Sequence, residues 1–188
     1  TNSKPIQSEY RIIELKFDTA QVPKFREVKA KNYIEFGERN DYPKYLLSLY
    51  NESAKHGAII KGKCNYIYGK GFSANGNINS KKETWNDVLK RCIKDDEIYR
   101  GYYLQIIWNK GKKIGEVYHI DFSKVRISKD FSTFYIKNDW TDSREKPRDY
   151  KAFNPEDPFG SQILYVKDYN PFSEYYPLPV YYQGLNYI

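Results

Sequence analysis

The sequence predicts an α+β fold: an N-terminal β-arm, two to three helices, then a mostly antiparallel sheet. Three observations predict it. Apolar residues recur at helical spacing between positions 42 and 93. After Arg100 the period shortens to that of strands, beginning with two alternating runs around Asn109-Lys110-Gly111-Lys112. Strands and helices do not alternate along the chain, which argues against a parallel doubly wound sheet.

Taken in order, residues 9–17 and 25–36 partly alternate apolar and polar, and Tyr10, Ile12, Ile34 and Phe36 fit short strands. Asp41 stands where a helix cap belongs, with Pro43 in the first turn and Tyr42, Leu46, Leu49 and Tyr50 on one face. Ser53 caps a second helix that runs to about Tyr68 and ends on Gly69 and Gly71. Its stripe is Ala54, Ala58, Ile59, Gly62 and Tyr66, and the small residues suggest close packing against a neighbour. Residues 73–80 form a polar loop. Ser80 with Glu83 reads as a capping box before the most amphipathic helix, marked by Trp85, Val88, Leu89, Cys92 and Ile93.

Strands are expected at 102–108, 113–120, 124–128, 133–137 and 162–167. Residues 138–161, with Pro147, Pro155 and Pro158 and many charges, read as a long exposed loop. In the tail, Leu185 and Ile188 begin a helical pattern that would continue further. The chain begins at Thr1 and contains no Met, so it reads as a trimmed piece. The expected division is an arm at 1–36 and an α+β domain at 37–188.

At 188 residues the chain is long enough for one real core. Leu, Ile, Val and Phe total 44 residues, about 23%, so the core is thin in aliphatics and padded by 20 tyrosines. No apolar run approaches the roughly 18 residues of a membrane-spanning helix, and no signal peptide is visible, so no membrane partner is expected. Two cysteines, Cys64 and Cys92, exclude a disulfide scaffold and favour a reducing or neutral compartment.

Net charge is +7, and Ser53 to Lys82 supplies +6 of it through Lys55, Lys61, Lys63, Lys70, Lys81 and Lys82, with no Asp or Glu. Such a field attracts phosphate or an acidic protein surface, whereas the plainer reading is a solvated face. Lys55, Lys61, Lys63 and Lys70 are the candidate contacts to nucleic acid or an acidic partner. The run lacks Arg, so it would touch a nucleic-acid backbone rather than read bases.

Catalytic signals are weak. Gly57 to Cys64 comes within one residue of a phosphate-binding loop, with Cys64 where a Ser or Thr must hold magnesium. The loop should follow a strand and open a helix, yet Gly57 lies inside a helical segment. A carboxylate-ended strand, Val117 to Asp121, would be its partner in a nucleotide-dependent enzyme. His56, His119, Cys64 and Cys92 lack zinc-ligand spacing. Asp95, Asp96 and Glu97 read as solvated charge at a helix end. No enzymatic activity, cofactor or metal is expected. Seven tyrosines between 165 and 187 are the stronger signal: core filler, protein interface or base-stacking platform. Tyr175, Tyr176, Tyr181 and Tyr182 are the candidate subunit-interface residues.

Three stretches together resemble the portal proteins of tailed bacteriophages, particularly the form found in phages and prophages of Bacteroidetes-type hosts. The first is Tyr33–Phe72, YIEFGERNDYPKYLLSLYNESAKHGAIIKGKCNYIYGKGF. There the family pattern falls on Gly37, Asn40, Pro43, Tyr45, Leu46, Leu49, Tyr50, Ser53, Ala54, His56, Ile59, Ile60, Tyr68, Gly69 and Gly71. The second is Val117–Asp130, similar to the family's His-Ile-Asp-x-x-x-Val-Arg strand pair. The third is Tyr176–Ile188. The resemblance implies the N-terminal wing of a head–tail connector, truncated before the stem and clip. It implies a ring of twelve subunits at the capsid vertex of the virion, assembled in the host cytoplasm, through which double-stranded DNA is packaged and ejected. The implied partners are terminase, the capsid shell and neck adaptor proteins. The alternative is a basic nucleic-acid-binding module using Lys55–Lys82 and the tail tyrosines.

Overall fold

The computed structural model describes residues 25–28, 32–74 and 76–187. The strand expected at 9–17 lies outside the described residues. The fold is α+β, as expected: the described residues form three α-helices and one eight-stranded sheet. The elements are β1 (Phe25–Val28), β2 (Tyr33–Phe36), α1 (Tyr42–Glu52), α2 (Ala54–Tyr68), α3 (Trp85–Tyr99), β3 (Gly101–Trp108), β4 (Ile114–Ile120), β5 (Val125–Ile127), β6 (Thr133–Ile136), β7 (Arg148–Ala152) and β8 (Ser161–Lys167). Sheet order is β1-β2-β5-β6-β7-β8-β3-β4, antiparallel except for β7 beside β8. The last strand of the expected arm, β2, is therefore an inner strand, buried along its length and paired with β5.

The hairpin signal is accurate. β3 and β4 run antiparallel from Tyr103 opposite Ile120 to Trp108 opposite Ile114. Asn109 closes the turn, its carboxamide oxygen accepting from the Lys113 amide at 3.0 Å. The opposite edge of β3 pairs with β8 from Gly101 to Ile107, so the longest of the described strands is an inner one, next to the edge strand β4.

Four expectations are corrected. First, the 138–161 segment contains β7, which pairs with β6 and lies parallel to β8. Its sequence, Arg-Asp-Tyr-Lys-Ala, has no apolar alternation, so its neighbours rather than its own residues dictate the strand. Second, the cap of α3 is Thr84, not Ser80. Thr84 and Asp87 exchange the reciprocal bonds of a capping box, with the Thr84 amide donating to Asp87 Oδ2 at 2.9 Å. Glu83 is drawn away from Ser80 by Asn79 at 2.7 Å and Arg91 at 2.5 Å. Third, the stripe expected to pack α2 is exposed. Its buried residues are His56 and Ile60, on the opposite side. Fourth, the helical pattern expected to begin at Leu185 starts earlier, as a 3-10 helix over Val180–Tyr187.

The core joins Ile34 and Phe36 of β2, Tyr42 and Leu46 of α1, Ile60 of α2, and Ile98 and Tyr99 of α3 to Tyr103, Phe122, Val125, Ile127, Phe134, Ile163, Tyr176 and Leu185. Aromatic rings replace missing aliphatics throughout it. Phe36 stacks on Tyr176 at 4.3 Å, Tyr99 on Phe122 at 4.6 Å, and Tyr103 on Tyr165 at 4.4 Å.

Candidate interaction surface

The three stretches that carry the resemblance meet inside the molecule. Arg126 on β5 is almost fully buried. A buried guanidinium must have its donors satisfied, and here four of its five N–H groups find acceptors. Nη2 donates to the Asn40 carbonyl at 2.8 Å, Nη1 to the carbonyls of Val125 at 2.7 Å and Ser123 at 3.0 Å, and Nε to Asn40 Oδ1. Trp140 covers it, 4.9 Å from guanidinium carbon to ring centroid. Asn40 Oδ1 also accepts from the Phe36 amide at 3.0 Å, and Asn40 adopts a positive φ of 59°. Just before it, Gly37 has φ +91°, and a Cβ there would stand 2.7 Å from Tyr42 Cβ. The Gly-x-x-Asn turn of the first stretch thus clamps the Arg of the second.

Tyr176, from the third stretch, closes the same region. Its hydroxyl donates to the Ile34 carbonyl at 2.5 Å and accepts from the Ile127 amide at 3.1 Å, bridging β2 and β5. This corrects the interface expected at Tyr176, which is fully buried. Tyr181 donates to the Ile98 carbonyl at 2.7 Å and rests on His56, while Tyr175 stacks on Phe131 at 5.5 Å. Tyr182, like Tyr175 and Tyr181, is half-buried against the core. These rings fill the core that scarce leucines leave thin.

The other candidate chemistry also has internal duties. Gly57 to Cys64 is continuous helix, so its amides are bonded within α2 rather than arrayed around an anion. Gly57 is there because α1 passes close by: a Cβ would lie 2.6 Å from the Tyr50 carbonyl oxygen. Lys63 forms an ion pair with Glu97, whose carboxylate is buried. Asp95 is buried too, contrary to the expected solvated charge. Burial pushes its pKa up, while it accepts from the Phe122 amide at 3.1 Å and lies 2.8 Å from His119 Nε2. Asp121 turns back on Ser123 at 2.9 Å. Cys92 is buried and its thiol is pushed up to about 12 by burial, and burial also raises Cys64. Among the described residues no three metal-ligating side chains gather.

What remains outward is α2. Lys55, Lys61 and Lys70 are exposed, and among the described residues none of them pairs with a carboxylate. Lys61 joins Lys90 and Lys94 of α3 around a cleft of about 290 Å³, walled by Tyr50, Cys64, Asn65 and Tyr68. Lys90 sits 4.9 Å over the Tyr68 ring and Lys94 4.6 Å over Tyr50. The ammonium groups occupy those ring faces, so the cleft offers charge rather than a base-stacking platform. Lys90 and Lys94 escaped the sequence reading because they lie outside the acid-free run; their four-residue spacing on an amphipathic helix was the available signal. Tyr169 and Phe172, the most exposed aromatics of the tail region, were missed as individuals within the tyrosine-rich stretch.

The fold is shared with chains of phage-like particles. A chain in the neck of an empty gene transfer agent particle, determined with C6 symmetry, matches with a TM-score of 0.56 at 8% identity, over 73% of this chain and 39% of that one. A chain in the virion of a native gene transfer agent particle matches with a TM-score of 0.57 at 10% identity, over 72% of this chain and 38% of that one. The present chain thus corresponds to under two-fifths of either neighbour. No protein-family model and no curated protein matches the sequence.

Proposed function

We propose that this chain is the wing region of a portal subunit, a structural component of the head–tail junction in a phage-like virion. The observation that carries the proposal is the fold held in common with a chain of a gene transfer agent neck over 73% of the present sequence. The motif residues support it in a second way. Asn40, Arg126 and Tyr176 are engaged in internal hydrogen bonds, as residues that hold a scaffold would be. In this reading the subunit assembles into a ring of twelve, a number that sixfold symmetry accommodates. Double-stranded DNA passes through the ring, and terminase, the capsid shell and neck adaptors dock on it. The domain itself performs no catalysis.

Gold-labelled antibody raised against the folded domain tests the location. Label at a single site per particle, where head meets tail, is the expected result. Label along the tail or over the whole shell would refute it.

One observation favours a second reading, a nucleic-acid-binding module: the Lys61, Lys90 and Lys94 cleft has no carboxylate in its wall. Duplex DNA binding whose logarithm falls steeply with the logarithm of salt, and which drops on replacing those lysines, would favour it.

A further inference from the structure

The outward face of α2 repeats small residues every fourth position, Ala54, Ala58 and Gly62, and then Tyr66. Along its side runs Ile59, 63% exposed, and Tyr66 itself is 86% exposed. A Cβ at Gly62 would meet nothing within 4 Å, so the middle of this face is uncovered. Contiguous exposed apolar side chains of this kind mark contact surfaces. The charge of the chain is segregated around it. Residues 53–82 hold six lysines and no carboxylate, and among the described residues only Lys63 of the α2 lysines is paired, with Glu97. Residues 168–188 hold no cation, and of their two carboxylates Asp168 is held by Arg100 at 2.8 Å, which leaves Glu174. That second segment also projects two aromatic rings, Tyr169 at 86% and Phe172 at 84% exposure, with Val180 beyond them at 67%. Within one chain the two patches leave each other uncovered.

We infer that the exposed small-residue face of α2 receives the 168–180 segment of a second copy of this chain, with Tyr169 and Phe172 seated along Ala58 and Gly62, and Lys55 facing Glu174. The two patches differ, so the contact is heterologous, head to tail, the kind that closes into rings. The inference rests on the portal reading and deepens it by naming the surfaces that meet. A 15-residue helix is roughly 22 Å long, so its face supplies the centre of a contact rather than the ~800 Å² per partner of a standard interface.

The test uses the full-length gene product carrying Tyr66→p-benzoylphenylalanine, irradiated and then imaged and digested. Rings, with a cross-link from position 66 to a peptide within 168–180 of another copy, are expected. Rings whose cross-links map elsewhere, or to a different protein, overturn the inference and leave the portal reading standing. No rings and no cross-link between copies overturn both. As a second variant, Ile59→Glu should raise the concentration needed for assembly about 30-fold, as loss of a central anchor does. Its thermal unfolding should stay that of the parent, because the side chain is exposed. Unchanged assembly would overturn the inference.

Discussion

Removing one oxygen from Tyr176 separates a core role from an interface role. In Tyr176→Phe the ring keeps its stack on Phe36 at 4.3 Å, so packing is preserved. What is lost is the hydroxyl that accepts from the Ile127 amide at 3.1 Å and donates to the Ile34 carbonyl at 2.5 Å. Those two backbone groups belong to the single registered pair between β2 and β5, and both residues are buried. A buried polar group stripped of its partner costs about 1–3 kcal/mol, so two of them cost about 2–4 kcal/mol when the strands relax in part. For a domain of this size 1 kcal/mol shifts the midpoint by roughly 2–4 °C, giving a fall of about 4–16 °C. Urea titration and thermal melting, with exposed Tyr169→Phe as control, measure it. A Tyr176→Phe protein within ~0.5 kcal/mol of the parent would refute the assignment of this tyrosine to the core.

The remaining predictions address α2. Gly57→Ala places a methyl 2.6 Å from the Tyr50 carbonyl oxygen and should cost about 1–3 kcal/mol net in urea unfolding, because that clash outweighs a helix-propensity gain of about 1 kcal/mol. Gly62→Ala, with open space around it, should instead raise the stability of the isolated domain by up to about 1 kcal/mol. Lys63→Ala leaves the buried Glu97 carboxylate unpaired and should destabilise by about 1–2 kcal/mol, the half-exposed lysine keeping the loss below that of a fully buried pair. A phosphate-binding role for Lys63 would show as lost ligand binding with unchanged stability. Burial lowers the pKa of His56 from 6.5, so the unfolded chain takes up a proton that the folded protein resists. Stability is then full above about pH 6.5 and falls as pH drops towards the folded pKa, and His56→Gln should flatten that slope in urea midpoints compared between pH 7.5 and 5.5, values bracketing the free imidazole.

The periodicity of local contacts made much of this fold legible. Ser53 caps α2 through the His56 amide, and the Asn109 turn closes β3 on β4, because both signals act within a few residues. The segment 148–152 was opaque, since β7 exists only by pairing with strands more than ten residues away. Position, rather than type, misled the reading of the tyrosines. Nothing in the sequence around Tyr176 separates it from Tyr169, yet one bridges two strands and the other stands in solvent. On α2 the stripe of Ala54, Ala58, Ile59, Gly62 and Tyr66 reads as a face packed against a neighbour, yet it is exposed and faces away from this chain's own core, because His56 and Ile60 on the other side make the buried contacts. The basic run was visible as charge along a line. Its meeting with Lys90 and Lys94 depends on how α2 crosses α3, which no window on the sequence contains.

Negative-stain imaging of the full-length gene product, paired with a light-scattering mass, tests the central claim most directly. Closed rings with a central channel and a mass of twelve subunits are the predicted result. A well-folded monomer that forms no ring at any salt or protein concentration would contradict the account.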